Sequence, residues 1–210
     1  MIRVKHVIVA NKRALHSSLN GGEAADVPHA EEQHWVRVAQ AGDRQAFAAL
    51  VDAYWTRVNR WLYGLTRNRH TAEELTQEAF LKAWTGLPEL KDISTFRPWL
   101  FCIARNCLIS LRRGPRGTPV QMLTEETLGR EPWPVEAVLA TEGQEALEAA
   151  LGRMPALLRG AFLLWTQEDM PYPDIARALA VTEETARWRV CKARQFLVKE
   201  LETYLDQTKP

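Results

Sequence analysis

The side chains best suited to chemistry in this sequence are cations and aromatics at helical spacing near the C-terminus. In TEETARWRVCKAR, residues 182–194, a helix would place an apolar stripe on one side: Ala186, Val190, Ala193 and Leu197. Trp188 and Lys192 would lie on the other side. When a helix enters a DNA major groove, cations meet phosphates and flat or polar side chains meet base edges. The segment therefore predicts DNA binding, and the alternative is that Trp188 packs on a neighbouring helix or a protein partner.

A second segment, STFRPWLFCIARNCLISLRR at residues 94–113, is basic and free of acid. Five arginines and no acidic residue occur between positions 96 and 116. As a helix it would bury Leu100, Ile103, Ala104, Cys107 and Leu111, and would display Trp99, Cys102, Arg105, Asn106, Ile109 and Arg113. Arginine for phosphates, asparagine for a base edge and aromatics for stacking are what unpaired DNA requires. A basic solvated helix is the alternative.

A third segment, HTAEELTQEAFLKAW at residues 70–84, is typical of a helix with a protein-binding face. Thr71 and Glu74 predict a capping box at its start. The predicted core stripe is Ala72, Leu75, Ala79, Ala83 and Leu87, with Phe80 and Trp84 at its edge, and the opposite face carries Glu74, Gln77, Glu78, Leu81 and Thr85. One apolar side chain among polar ones suggests a partner at Leu81, although single exposed leucines are common.

Helical periodicity is nearly continuous from about Glu31 to Arg113. Six glycines and prolines then crowd twenty residues, which predicts a linker. We expect an all-α protein of two small helical domains: a mobile extension at 1–30, a first domain at 31–114, a flexible acidic linker at 115–141 and a second domain at 142–207. Within the last, a short helix from about Pro173 to Ala180 and a longer one capped by Thr182 predict a helix-turn-helix.

Charge and composition narrow the class of protein further. The formal net charge of the 210 residues is +1, but seven glutamates stand against Arg130 alone between positions 117 and 150. This segregation suggests that the basic segment contacts a polyanion while the acidic one avoids or imitates it, or that both are solvated faces. Three cysteines form no even-numbered disulfide framework, and no apolar run approaches a membrane span, so we expect a cytoplasmic protein.

Catalytic and metal-binding patterns are missing from the sequence. His70, Glu73 and Glu74 do not make HExxH, and neither a glycine-rich phosphate loop nor a Ser/His/Asp arrangement can be argued. His6, His16 and the cysteines match no common ligand spacing. We therefore expect no enzyme activity, cofactor or metal.

With these segments in view, the chain resembles the sigma-70 family of bacterial RNA polymerase initiation factors, in particular its short extracytoplasmic-function (ECF) group. The resemblance covers roughly residues 40–205. AEELTQEAFLKAW looks like the polymerase-binding helix of that family, FRPWLFCIARN like its promoter-melting helix, and YPDIARALAVTEETARWRVCKAR like its reader of the minus-thirty-five element. Three matches in the family's order, with a linker between the second and third, make coincidence a poor explanation.

The resemblance implies roles for particular residues. The implied core polymerase contacts are Glu74, Gln77, Glu78 and Leu81. The implied minus-ten DNA contacts are Phe96, Arg97, Trp99, Arg105, Asn106, Arg112 and Arg113, with Asn106 and the loop from Glu89 to Thr95 holding a base flipped out of the duplex. The implied minus-thirty-five contacts are Glu184, Arg187, Trp188, Cys191, Lys192 and Arg194. Trp188 stands where relatives often have serine.

The resemblance also implies partners: core RNA polymerase, promoter DNA and an anti-sigma protein, with no membrane insertion. Two other classes compete with this interpretation. A helix-turn-helix regulator with a helical sensing domain would bind duplex DNA tightly and specifically on its own, whereas a sigma-like chain should bind duplex weakly until polymerase joins it. An enzyme is the third class, and the missing catalytic patterns argue against it.

Overall fold

The computed structural model describes residues 28–113 and 142–207 of the chain. Within these ranges every regular element is a helix, as predicted. The helices are α1 (His29–Gln40), α2 (Arg44–Thr66), α3 (Arg69–Gly86), α4 (Phe96–Arg113), α5 (Glu142–Arg153), α6 (Ala156–Thr166), α7 (Tyr172–Leu179) and α8 (Glu183–Gln207), and the 3-10 turns Leu87–Glu89 and Ile93–Thr95 join α3 to α4. Almost all of the predicted extension and linker lies outside the described residues.

In the first module, α1 to α4, short polar side chains cap the N-termini of two helices. The Asp43 carboxylate accepts hydrogen bonds from the backbone amides of Gln45 and Ala46 at the start of α2. Asn68 caps α3 in the same way, accepting from the Thr71 amide at 2.8 Å. The predicted capping box of Thr71 and Glu74 is therefore wrong. Helix α3 begins at Arg69, and its N-cap is Asn68 rather than Thr71.

The core of the first module contains a buried polar pair beneath the start of α4. The Tyr54 hydroxyl donates to the Glu32 carboxylate at 2.6 Å, and both side chains are buried. Burial, together with the charge of Glu32, raises the pKa of Tyr54 far above its usual range, so the phenol stays protonated and remains a donor. The Tyr54 ring packs edge-on against Phe96, the first residue of α4. This contact fixes where α4 leaves the core.

The second module, α5 to α8, ends in the predicted helix-turn-helix. Arg159 is fully buried and donates from Nη1 to the carbonyls of Leu151, Gly152 and Met154, which closes the last turn of α5. Helix α7 ends at Leu179, and its C-cap, Ala180, lies in the left-handed region (φ 48°). The Thr182 hydroxyl then accepts from the Thr185 amide at 3.2 Å, which confirms the predicted cap of α8. These turns set the angle at which α8 leaves α7.

The two modules pack against each other rather than standing apart. Helix α4 lies on α7, and α2 lies on α6. One hydrophobic cluster continues across the boundary, from Trp61 and Phe101 in the first module to Leu163 and Ile175 in the second. The sequence predicted two modules on a tether, and this direct contact is an addition that only the structure reveals.

Candidate protein and DNA interfaces

The outward face of α3 is largely exposed, and only Glu78 on it is partly buried. The predicted core stripe of Ala72, Leu75, Ala79, Ala83 and Leu87 is buried. On the other side Leu81 is 70% exposed, and Glu74 and Gln77 are also exposed. Glu78 lies 2.6 Å from Lys82 and Glu74 lies 3.2 Å from His70, both one helical turn away. This acidic surface with a central leucine has the character of a protein-binding face.

Below that face, a cavity of about 360 Å³ opens between the end of α3 and the middle of α4. Its lining residues are Lys82, Gly86, Glu89, Trp99, Ile103 and Asn106. Asn106 is exposed at the mouth, where its amide oxygen accepts from Arg105 at 3.3 Å. Around one opening, an indole can stack on an unpaired base, while a polar amide and a cation can hydrogen-bond to it. The sequence singled out Trp99, Asn106 and the loop containing Glu89, whereas Lys82 and Gly86 were missed.

The backbone beside the cavity is held by side-chain hydrogen bonds. Gln40 donates to the carbonyls of Leu87 and Leu90 at 3.1 and 2.8 Å. Asp92 accepts from both the amide and the hydroxyl of Ser94, at 3.0 and 2.6 Å. These two bonds lower the pKa of the Asp92 carboxyl. The loop that borders the cavity is therefore fixed before any ligand arrives.

The predicted minus-ten residues of α4 do not all lie on an open surface. Phe96 is fully buried between Tyr54 and Trp99, so the expectation that it touches DNA is wrong, and the ring instead supports Trp99 from the core. Arg97 is turned toward the second module, with Nη2 3.6 Å from the Glu168 carboxylate. Asn106 remains exposed and Trp99 and Arg105 are partly exposed.

The C-terminal end of α4 differs from the predicted pattern. Leu111 was expected in the core but is 56% exposed, and Leu108 is buried in its place. The buried stripe thus rotates toward the second module, whose α7 covers this helix. The side chains of Arg112 and Arg113 lie outside the described residues, so their predicted contacts stay predictions.

Helix α8 presents the predicted reading face. The stripe of Ala186, Val190, Ala193 and Leu197 is fully buried, as predicted. The exposed side chains are Glu184, Arg187, Trp188, Cys191 and Lys192. Trp188 is 55% exposed, which argues against the alternative that it packs within this chain. The face therefore offers a flat aromatic and a cation to solvent.

Two arginines of α8 are already engaged. Arg187 pairs with Glu183 at 2.8 Å and stacks over the Tyr172 ring at 4.7 Å. The guanidinium of Arg194 lies over the Trp165 ring at 5.3 Å and is only partly exposed. Arg194 therefore lies at the edge of the reading face rather than at its centre.

The cysteines and histidines form no further site in the part of the chain that the structure describes. Cys102, Cys107 and Cys191 are free thiols, and no group of three potential metal ligands occurs among the described residues. Burial raises the pKa of the Cys102 thiol. None of the described helices is long and apolar enough to cross a membrane.

Sequence reasoning missed the polar contacts at the module boundary. Glu168 is 3% exposed and pairs with Arg57 at 2.8 Å as well as with Arg97. Trp61 donates its indole N–H to the Gly160 carbonyl at 3.1 Å. A glutamate and an arginine 111 positions apart carry no periodic signal, so sequence reasoning could not pair them.

Comparison with known proteins gives two family matches. The family model of Sigma-70 region 2 matches residues 50–117, and that of Sigma-70, region 4 matches residues 144–197. The RNA polymerase sigma-H factor of Pseudomonas aeruginosa is 29% identical over 84% of this chain and 97% of its own length. The ECF RNA polymerase sigma factor SigE of Mycolicibacterium smegmatis is 30% identical over 80% of this chain and 67% of its own length. A probable sigma factor of Xanthomonas campestris, RfaY, is 29% identical, but the chain spans only 46% of it.

Two solved structures share the fold. CnrH in complex with the cytosolic domain of CnrY gives a TM-score of 0.60 at 20% identity, covering 85% of this chain and 99% of that one. The sigma factor RpoE of Bartonella quintana, in complex with the anti-sigma factor NepR, gives a TM-score of 0.59 at 22% identity. The match covers 74% of this chain and 96% of that one. At these identities the likeness concerns the fold.

Proposed function

The chain belongs to the ECF group of the sigma-70 family of RNA polymerase sigma factors, and from that premise we propose which surfaces perform each step of transcription initiation. The first module grips core polymerase and opens the minus-ten element, and the second reads the minus-thirty-five element. The observation that carries this proposal is the cavity at Asn106, one helix away from the open face of Leu81. One module can therefore hold the enzyme and an unpaired base at the same time.

The polymerase contact is assigned to α3. Leu81 would insert into an apolar site on the partner, while Glu74, Gln77 and Glu78 make the polar rim around it. Interfaces concentrate their binding energy in a few central apolar or aromatic side chains surrounded by polar ones, and this face has that layout. Its preformed state supports the assignment, since Leu81 needs no rearrangement to become accessible.

The minus-ten contact is assigned to the cavity between α3 and α4. An extruded base would stack on Trp99 and meet the Asn106 amide, which can donate and accept hydrogen bonds with a base edge. Lys82 and Arg105 would neutralise the adjoining phosphates. Unstacking a base costs a few kcal/mol, and these contacts offset that cost only once the strand is open. Capture of the base therefore favours the melted duplex.

The minus-thirty-five contact is assigned to α8. Trp188 and Cys191 would face base edges in the major groove while Lys192 and Arg187 meet phosphates. In this role the chain makes and breaks no covalent bond and needs no cofactor or metal. It would act in the cytoplasm, where polymerase and promoter DNA are found together.

An anti-sigma protein is proposed as a further partner. Both solved neighbours were captured with a second protein, the cytosolic domain of CnrY in one case and the anti-sigma factor NepR in the other. The exposed face of α3 is a suitable target for such an inhibitor, because covering Leu81 would block polymerase directly.

The test is reconstitution with purified core polymerase. The full chain should form a complex on a native gel at micromolar concentration and direct transcripts that depend on promoter sequence. A chain that gives no complex, or transcripts no different from those of core polymerase alone, contradicts the proposal. Tight, specific binding of duplex promoter DNA by the isolated chain would instead favour the alternative, a conventional helix-turn-helix regulator.

A further inference from the structure

The side of α8 that points directly away from the core carries no cation. At about 100° per residue, four exposed side chains form a row opposite the buried stripe, and we call them the central row: Glu184, Trp188, Cys191 and Gln195. Arg187 and Lys192 are also exposed and flank this row on opposite sides. Arginine or lysine on the O6 and N7 atoms of guanine is the commonest specific contact in a major groove. The central row has no side chain of that kind, so it must distinguish bases by other groups.

Trp188 supplies a large apolar surface at the middle of α8's exposed side. Its side chain is 55% exposed, and its indole has one donor and no acceptor. Cys191, almost one turn further along, is exposed as well, and a free thiol behaves as a small apolar group. The apolar group that a base presents in the major groove is the C5 methyl of thymine. Covering the indole with that methyl removes apolar surface from water, which favours thymine at this position.

The two glutamates at the start of α8 differ in their partners. Glu183 accepts a hydrogen bond from Arg187 at 2.8 Å, so its charge is compensated within the helix. Glu184 is exposed, and it makes no hydrogen bond or ion pair with any residue that the structure describes. Phosphates repel a carboxylate that enters a groove unless it meets a donor there. The amino group of cytosine at N4 is the donor that glutamate side chains accept from in the major groove.

The flanking cation Arg187 is held in place before DNA arrives. Its guanidinium pairs with Glu183 and lies 4.7 Å from the centre of the Tyr172 ring, on the neighbouring helix α7. A guanidinium fixed in this way suits a phosphate at the edge of the groove, and it is not free to turn toward a base. Lys192 offers a second cation on the other side of the central row. The two cations can therefore orient α8 while the central row meets the bases.

Helix geometry sets the distance between the two base contacts. Trp188 follows Glu184 by about one turn, which is a rise of about 6 Å along the helix axis. Successive bases of a DNA strand are about 3.4 Å apart along the duplex axis. The groups that meet Glu184 and Trp188 are therefore expected about two base pairs apart.

We propose that α8 selects its DNA element by two groups, a thymine methyl that covers Trp188 and a cytosine amino group, about two base pairs away, that donates to Glu184. This inference rests on the proposed function, because it names the base groups that the α8 surface selects within the minus-thirty-five element. Arg187 and Lys192 contribute affinity through phosphates and no choice of base. Trp188 is thus the residue that determines specificity for thymine, and Glu184 the residue that determines specificity for cytosine.

The experiment uses the full chain with core polymerase and a library of promoter fragments randomised in the minus-thirty-five region. The selected element should contain a thymine and a cytosine about two base pairs apart. Each thymine of that element is then replaced by deoxyuridine, which lacks only the methyl group. Affinity should fall about fourfold at one position, the effect of one buried methyl group, and should not change at thymines outside the element.

Three variants separate the roles of the side chains. Trp188→Ala should bind thymine and deoxyuridine DNA equally. Lys192→Ala is the matched control on the same face, because losing a phosphate contact should weaken binding to both DNAs alike and lower the salt slope by about 0.9. Glu184→Gln should change the preferred base from cytosine to adenine, since glutamine pairs with N6 and N7 of adenine.

Equal affinity of the parent for thymine and deoxyuridine at every position of the element would overturn the role of Trp188. An equal loss in Trp188→Ala on DNA with and without the element would overturn it too, and would point to a protein partner at this side chain. Retention of the cytosine preference in Glu184→Gln would overturn the second contact. A chain that forms no promoter complex contradicts the proposed function itself, whereas a complex that selects an element without these effects rejects only this inference.

Discussion

Helices α3 and α4 lie side by side in one module, yet their functional faces are in different states. The outward face of α3 is exposed at Leu81 (70%), Glu74 and Gln77 and partly exposed at Glu78. The DNA face of α4 is only partly available, because Arg97 pairs with Glu168 and Phe96 lies in the core. This difference predicts an order of events. The proposed polymerase face on α3 is already exposed, so we expect polymerase to bind before the DNA contacts of α4 are complete.

The largest effect is expected from a change on the exposed face of α3, where core polymerase is proposed to bind. Leu81→Glu places a charge at the centre of the α3 face and should weaken core polymerase binding about 30-fold or more, the effect of losing a hot spot of about 2 kcal/mol. Fluorescence anisotropy of the labelled chain with core polymerase measures it. Trp188→Ala is the control, since it removes a large exposed side chain from the other module. An unchanged polymerase affinity in Leu81→Glu would move the contact away from α3.

The cavity beside α4 gives the next largest effect. A Cβ at Gly86 lies 3.3 Å from the Trp99 ring, so Gly86→Val should push the indole into the space assigned to the base. Promoter opening, followed by permanganate reactivity of unpaired thymines, should fall about tenfold, since a base contact is worth about 1–3 kcal/mol. Polymerase binding should stay within twofold. Asn106→Ala should act in the same direction, and normal opening in both variants would exclude the cavity as the base site.

A smaller effect on DNA affinity is expected from α8. Its proposed DNA-reading face is exposed, as is the proposed polymerase face of α3. Trp188→Ala should reduce affinity of the polymerase complex for promoter DNA about fivefold, near the lower end for one base contact. A competition assay should show that the loss is confined to promoters with an intact minus-thirty-five element. An equal loss on DNA lacking that element would show that Trp188 does not read sequence.

The smallest effect is expected in the alkylation rates of two thiols, one exposed and one partly buried. Cys191 is exposed on α8, whereas Cys102 on α4 is partly buried, and burial raises the pKa of its thiol. The thiolate is the reactive form, so at pH 7 Cys102 should be alkylated several times more slowly than Cys191. Raising the pH toward 10 should narrow the gap by increasing the thiolate fraction of Cys102. Mass spectrometry of the time course measures both sites, and equal rates at pH 7 would contradict this accessibility.

Much of the fold could be predicted because each helix carries its own signal. The stripes of α3 and α8 follow a 3.6-residue period, and Thr182 caps α8 as its position indicated. The cap of α3 was misplaced, since Asn68 and Thr71 both suit an N-terminus and only geometry shows which side chain accepts the hydrogen bond. The candidate polymerase face followed from the same periodicity.

What the sequence could not show arises from contacts between distant segments. The stripe of α4 was misjudged at Leu111, because α7 covers this helix from a side that periodicity alone does not specify. Glu168, Arg57 and Arg97 come from three elements, and their pairing depends on how the modules dock. Lys82 and Gly86 joined the cavity for the same reason: a pocket is defined by what surrounds a space, not by spacing along one helix.

In the proposed function, the α3 face binds core polymerase while the cavity beside α4 holds an unpaired base. The most direct measurement is promoter-dependent transcription by core polymerase supplied with the parent chain, with Leu81→Glu or with Asn106→Ala. The parent should direct transcripts, Leu81→Glu should lose them together with polymerase binding, and Asn106→Ala should lose them while polymerase binding is kept. Full transcription by both variants would contradict the proposed function.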